Sequence, residues 1–296
     1  MAVEPSPAAE VDVTEELVRA LLVDQHPDLA ALVLRPVGSG WDNAILRLGD
    51  DLVVRLPRRH AGVALVEHEQ RWLPGLAATL PLPVPAPVRT GAPGPGYPWP
   101  WSICRWMPGD SALEAPPTDP ATPTVLGAFL AALHHPAPAD APPNPFRGVP
   151  LAVCDPVVRE RLGRLGDEVD APALLALWDR LVHTPPWPGP PVWVHGDLHP
   201  GNLVVRAGAL AGVIDFGDIT SGDPATDLAV AWTLLEPADR PALRAAAGHE
   251  GDTATWDRAR AWALHLGCAY LLHSGDRPAY GALGRRALAA VLADAP

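Results

Sequence analysis

Lysine is absent from this 296-residue chain: all 22 basic residues are Arg. Lys codons are AT-rich, so the absence, alongside 38 Pro and 11 Trp, reflects a GC-rich coding bias before it reflects function. Against 34 acidic residues the Arg leave a net charge of −12. No basic patch is concentrated anywhere, which excludes a surface built to neutralise nucleic-acid phosphates. Cysteine is scarce too. Cys104, Cys154 and Cys268 are odd in number, far apart and without a Cys-x-x-Cys pair, which excludes a disulfide framework and a zinc site and leaves them as small buried hydrophobes. No window reaches the roughly 18 uninterrupted apolar residues of a membrane span. The stretch from Met1 to Asp12 is acidic and Pro-containing, unlike a signal peptide, so a cytoplasmic location is expected.

What is present suffices for a large core. The chain is 48% hydrophobic and 19% charged, which argues against wholesale disorder, and its length suggests two domains or lobes. Strand signals come first. Ala44 to Leu56 form two apolar stretches around Gly49-Asp50-Asp51, a predicted β-hairpin, with Arg55 on the face opposite Leu52, Val54 and Leu56. From Gly62 to Leu80, Val66, Glu69, Leu73, Leu76 and Leu80 recur at helical spacing. A carboxylate on a core-facing stripe is costly unless a cation meets it, so Glu69 asks for a buried partner, and Arg55 is the candidate. Pro81 to Pro100 is Pro- and Gly-rich, and Trp101 to Met107 reads as a further strand. Later segments are mainly helical: Val125 to His134, Val157 to Val182, Thr226 to Leu235, Thr253 to His273 and Leu283 to Leu292. The Pro-rich stretches Ala115 to Pro123 and Pro136 to Pro150 read as loops.

Polar residues gather where the apolar strand Val192-Trp193-Val194 ends, in His195-Gly196-Asp197-Leu198-His199-Pro200-Gly201-Asn202. A second hairpin, Leu203 to Val205 and Leu210 to Ile214, then delivers Asp215-Phe216-Gly217-Asp218. Asp197, Asn202 and Asp215 are separated by five and thirteen residues, a spacing that can place all three at one end of one hairpin. Converging carboxylates repel unless a cation joins them, and hard oxygen ligands with open positions suit Mg2+ and its phosphate partners. The order Asp-x-x-x-x-Asn then Asp-Phe-Gly is that of kinases: catalytic base, metal-binding amide, metal-binding carboxylate.

The chain here resembles the aminoglycoside phosphotransferases and their relatives, macrolide kinases among them, over most of its length. His195 to Asn202 is similar to that family's catalytic loop, and Ile214 to Asp218 to its Asp-Phe-Gly-like segment. Gly222 to Ala229 resembles the following stretch, in which the resemblance makes Asp227 a brace for the catalytic loop; it also makes His195 a scaffold residue, not a metal ligand. Gly38-Ser39-Gly40-Trp41-Asp42-Asn43 resembles the nucleotide loop, where glycines let backbone amides approach phosphate. Arg55 occupies the position where many members carry Lys, and Glu69 matches the helix Glu that pairs with it.

The resemblance implies an α+β, two-lobed protein-kinase-like fold: a small antiparallel sheet lobe at 1–107 that binds nucleotide, and a larger helical lobe at 108–296 that carries catalysis and the acceptor site. It implies transfer of the γ-phosphoryl group of ATP or GTP to a hydroxyl of a small molecule, an aminoglycoside-type antibiotic first, with a macrolide, a primary metabolite (sugar or amino alcohol) or a non-catalytic nucleotide-binding module as alternatives. Asp197 is the expected catalytic residue, Asn202 and Asp215 the Mg2+ ligands, and Arg55, Glu69, Gly38, Ser39 and Gly40 the nucleotide-binding residues. Trp99, Trp101 and Trp106 are expected to pack a cleft wall. Helical residues after Asp227, including Trp256, Trp262, His265, Tyr270 and His273, are expected around the acceptor. No nucleic-acid or membrane partner is expected, and the sequence does not specify an oligomeric state.

Overall fold

A computed structural model describes residues 7–39, 42–275 and 277–294. The chain forms two units: a sheet unit of residues 7–108 and 213–217, and a helical unit of residues 109–212 and 218 onward.

The sheet unit opens with helix α1 (Glu15–Gln25), whose Thr14 hydroxyl caps the Leu17 amide at 3.2 Å while Glu15 and Glu16 complement the helix dipole. Strands β1 (Leu34–Ser39), β2 (Asn43–Leu48) and β3 (Leu52–Pro57) follow, then helix α2 (Val63–Ala77), β4 (Pro87–Gly91) and β5 (Trp101–Arg105). The five strands pair antiparallel in the order β1-β2-β3-β5-β4. The β2–β3 hairpin turns at Gly49, with Leu48 opposite Leu52 and Ile45 opposite Arg55. Its second strand is buried on both faces from Val53 to Pro57, which puts Arg55 inside the unit. Helix α2 buries Val66, Glu69, Leu73 and Leu76. It stops before Leu80, where the Thr79 amide closes a tighter turn on the Leu76 carbonyl at 3.0 Å. Leu21, Leu22, Leu48, Val54, Leu56, Trp101 and Ile103 make a core without solvent contact, each such side chain contributing about 1.5–3 kcal/mol. The segment Val213–Gly217 joins this unit, and the Val213 amide donates to the Pro83 carbonyl at 3.0 Å.

The helical unit runs β6 (Asp110–Ser111), α3 (Thr122–Leu133), α4 (Leu151–Leu165), α5 (Ala171–Leu181), β7 (Val192–Val194), β8 (Leu203–Arg206), β9 (Ala209–Val213), β10 (Thr220–Gly222), α6 (Ala225–Leu228), α7 (Val230–Thr233), α8 (Arg240–Ala246), α9 (Thr253–Leu272) and α10 (Pro278–Ala293). Helix α9 is its axis, buried on almost every side and packed on α10, α4, α6, α5 and α7. The buried Arg258 of α9 spans Asp223, with Nε donating at 2.6 Å to one carboxylate oxygen and Nη2 at 3.4 Å to the other. The helical pattern from Val157 to Val182 is two helices, not one: Gly166, at φ +50°, takes the left-handed turn that ends α4. Thr226 to Leu235 likewise divides into the single turns α6 and α7. Cys104, Cys154 and Cys268 are buried free thiols. Among the described residues no helix is long and apolar enough to cross a membrane.

Candidate active site

In the helical unit, β7 pairs with β10 so that Val194 faces Thr220, and the polar loop begins where β7 ends. Asp227, fully buried, holds that loop by its backbone: its carboxylate accepts the His195 amide at 2.8 Å and the Gly196 amide at 3.0 Å. The His134 ring nitrogen Nε2 meets the same carboxylate at 3.1 Å. Gly196 sits at φ +86°, and a Cβ there would come within 2.4 Å of the Asp218 carbonyl, so only glycine permits the turn. His195 Nδ1 accepts the Asp197 amide at 3.2 Å, a scaffold contact.

These contacts present the Asp197 carboxylate at 27% exposure. It receives Nη2 of Arg147 at 3.4 Å and lies 3.4 Å from Nε2 of His199. His199 Nδ1 already accepts the Gly201 amide at 3.0 Å, which leaves Nε2 to donate to Asp197. Burial alone would raise the Asp197 pKa; His199, Arg147 and His195 outweigh it and hold the carboxyl well below the usual range. Asp197 is therefore held as an anion. Asn202 spends its amide N–H on the Asp197 carbonyl at 2.9 Å, which leaves its carbonyl oxygen free of that contact as a hard ligand.

The sheet unit holds the second group of predicted residues. Arg55 and Glu69 form the buried pair that the core-facing carboxylate demands: Nη1 lies 2.8 Å from each Glu69 oxygen. Nη2 of Arg55 reaches Asp215 at 3.3 Å. Burial opposes the Arg55 charge, but the two carboxylates prevail and raise its pKa. Glu69 also accepts the Phe216 amide at 3.0 Å, tying the Asp-Phe-Gly segment to α2. Asp215 takes the left-handed conformation, φ +64°, and its side chain is 54% exposed. An Asp in that conformation with an open carboxylate suits ligation better than packing.

Gly38 and Ser39 lie at the end of β1, paired with Ile45 and Ala44 after an irregularity between Pro36 and Gly38; Gly40 lies outside the described residues. Trp101 is core, Trp99 packs edge-on against Tyr97, and Trp106 stacks under the Arg47 guanidinium at 4.4 Å. Trp256 and Trp262 are core, whereas Tyr270 packs edge-on against His199 at 5.3 Å. Arg147 is the functional neighbour that sequence reasoning passes over: it lies in the Pro-rich loop after α3, reaches Asp197 and comes within 4.0 Å of Asp218. Its one signal is that it is the only basic residue in the Pro-rich stretch from Pro136 to Pro150.

The described residues contain no group of three or more His, Cys, Asp and Glu set to hold a metal. No curated protein sequence matches the chain. Among solved structures it is similar to the GDP complex of wild-type aminoglycoside 2'-phosphotransferase-IIIa, with a TM-score of 0.70 at 19% identity over 95% of this chain and 99% of that one. It is similar to macrolide 2'-phosphotransferase MphH from Brachybacterium faecium, with a TM-score of 0.60 at 24% identity over 95% and 99%, and to a streptomycin–ATP ternary complex of APH(2")-IIa, with a TM-score of 0.58 at 18% identity over 94% and 97%. These likenesses are of fold, and the fold is the protein-kinase-like one. A family model described as the phosphotransferase enzyme family matches residues 33–262, more than half the chain, and the protein belongs to that family.

Proposed function

We propose that this chain transfers the γ-phosphoryl group of ATP or GTP to a hydroxyl of a small molecule. The observation that carries the proposal is the Asp197 carboxylate, kept anionic and partly exposed on a loop whose backbone is fixed by Asp227. In this reading Asp197 accepts or orients the hydroxyl proton of the acceptor. Residues 1–107 bind the nucleotide, with Arg55, positioned by Glu69, on the α- and β-phosphates, and Gly38, Ser39 and Gly40 offering backbone amides. Residues 108–296 supply the base and the acceptor site. Asn202 and Asp215 would each offer an oxygen to Mg2+, whose chemistry would be neutralisation of phosphate charge. Rate enhancement then comes from positioning and charge neutralisation. The location that follows is the cytoplasm, where both nucleotides are available.

Aminoglycosides and macrolides are the acceptor classes named for similar structures, and the aminoglycoside expectation rests on that likeness. The test is transfer of labelled γ-phosphate from ATP and GTP to a panel of hydroxylated acceptors with Mg2+. Transfer abolished in Asp197→Asn, with the nucleotide-induced rise in Tm retained, supports the proposal. A wild-type protein that neither transfers phosphate nor gains stability from either nucleotide refutes it.

A further inference from the structure

Arg161 is a cation without its complement. It lies on α4, partly buried, and among the described residues no carboxylate pairs with it. Its hydrogen-bonding neighbour is Nδ1 of His265 at 3.5 Å. That imidazole cannot balance the charge: burial first, then Arg161 and Arg147, pull its pKa down to about 3, so it is neutral. Burial most of all, and the nearby Arg147, disfavour the Arg161 charge and outweigh the favourable pull of Cys268 and of Glu160, a carboxylate that pairs with Arg164 instead. The rule that makes a buried Glu69 demand Arg55 makes Arg161 demand an anion.

The donors around it point the same way. Arg147 spends one nitrogen on Asp197 and lies within 4.0 Å of Asp218, while its buried Nε has no partner among the described residues. The Tyr270 hydroxyl is buried and also without a hydrogen-bond partner there. Its surroundings include both Asp197 and Arg147. Helices α9 and α10 bring one acidic residue between them, Asp257, and it is exposed. Two donors beside the candidate base, the Arg147 Nε and the Tyr270 hydroxyl, thus stand unused among the described residues, and while Arg147 is balanced by Asp197 and Asp218, Arg161 adds a positive charge that a polycation reaching it would meet as repulsion.

Resting on the reading that Asp197 receives the acceptor hydroxyl, we propose that the acceptor also carries an anionic group, a carboxylate or a phosphate, which Arg161 binds through its guanidinium fork. Tyr270 and Arg147 donate to the acceptor between these two points of attachment.

The experiment uses the full chain with four acceptors at matched concentration, gluconate, glucose 6-phosphate, glucose and kanamycin, each with Mg2+ and ATP or GTP, and records both phosphate transfer and Tm. Inorganic phosphate serves as the smallest binding probe. Gluconate or glucose 6-phosphate is expected to give kcat/KM at least tenfold above glucose, with kanamycin lowest; which of the two leads distinguishes carboxylate from phosphate. Arg161→Gln is expected to raise KM for the better anionic acceptor at least tenfold and to abolish the Tm rise given by inorganic phosphate, with the ATP-induced rise unchanged; Arg161→Lys is expected to recover part of both. Kanamycin or glucose used as well as the anionic acceptors, or an Arg161→Gln protein with unaltered KM, overturns the proposal. Where none of the four is phosphorylated, binding decides, and the absence of any anion-induced Tm rise in the wild type overturns it. Loss of the ATP-induced rise in the wild type strikes instead at the phosphotransferase reading, and so the two failures are told apart.

Discussion

Nη1 of Arg55 lies 2.8 Å from both carboxylate oxygens of Glu69, so a single guanidinium nitrogen closes the buried pair and leaves Nη2 to reach Asp215 at 3.3 Å. A lysine ammonium is one point of charge and cannot span the two carboxylates in this way. Arg55→Lys is expected to keep the Glu69 contact and lose the Asp215 contact, weakening ATP binding by several-fold. Arg55→Ala leaves Glu69, 2% exposed, without a counter-charge and is expected to destabilise the fold by about 3–5 kcal/mol. Nucleotide titration followed by fluorescence, together with urea unfolding, separates the two effects. An unchanged Kd in Arg55→Ala removes Arg55 from the nucleotide site.

Asp227 acts through backbone amides and not through the reacting groups. Asp227→Asn replaces one acceptor oxygen by a donor, which sets an N–H against the His195 or Gly196 amide. The expected outcome is a fall in kcat of at least tenfold with KM for ATP within about twofold. Steady-state kinetics on a variant with a native circular dichroism spectrum checks it, and a kcat equal to wild type removes the bracing role.

Stability is expected to fall in mild acid because of His265. Its pKa is about 3 in the folded protein against an ordinary value of 6.5. Between these values the unfolded chain binds a proton that the folded chain does not, so stability rises with pH through this window and is lost as pH drops below 6.5. From pH 7.5 to 5.5 the loss is about 1.4 kcal/mol. Urea unfolding at the two pH values measures it, and His265→Gln is expected to remove that part of the difference. The Asp197 carboxyl works in the same sense but in a lower window: its pKa is depressed, so its contribution is complete above the ordinary carboxylate range and disappears only as pH falls toward its lowered pKa. An activity loss between pH 5 and 7 is therefore not expected to come from Asp197.

Arg258 is 1% exposed and Asp223 is 5% exposed. Asp223→Asn leaves the guanidinium with neutral partners, Thr255 and the Pro185 carbonyl, and is expected to cost about 3–5 kcal/mol. Chemical denaturation checks this, and a loss below 1 kcal/mol shows that water or another carboxylate has taken the place of Asp223.

Much of this architecture was legible in the sequence because it is written in local patterns. The β2–β3 hairpin carries alternation and a turn, and α2 carries helical spacing with one misplaced carboxylate that names its own partner. The loop from His195 to Asn202 keeps its polar residues within one short segment. Strand β1 was not legible, since Pro36 and Gly38 interrupt its alternation, and β4 lies inside a stretch whose Pro and Gly content signals only loop. Helix α1 shows its period at three buried positions, Val18, Leu21 and Leu22, too few to stand out. Arg147 was invisible as a site residue for a different reason: no spacing relates it to Asp197, and only the folded backbone carries a Pro-rich loop to that carboxylate.

The near-total burial of α9 bears on how this protein can change. The helix that supplies Tyr270 and His265 is also the mast on which five other helices are stepped, so most substitutions along it trade foldedness for novelty. The segment that carries Arg147 is a loop off that axis, tied down at Pro142, Asn144 and Gly148 and free of helix packing elsewhere. Lineages that drift toward new acceptors are expected to accumulate their replacements between residues 136 and 150, while α9 stays nearly still.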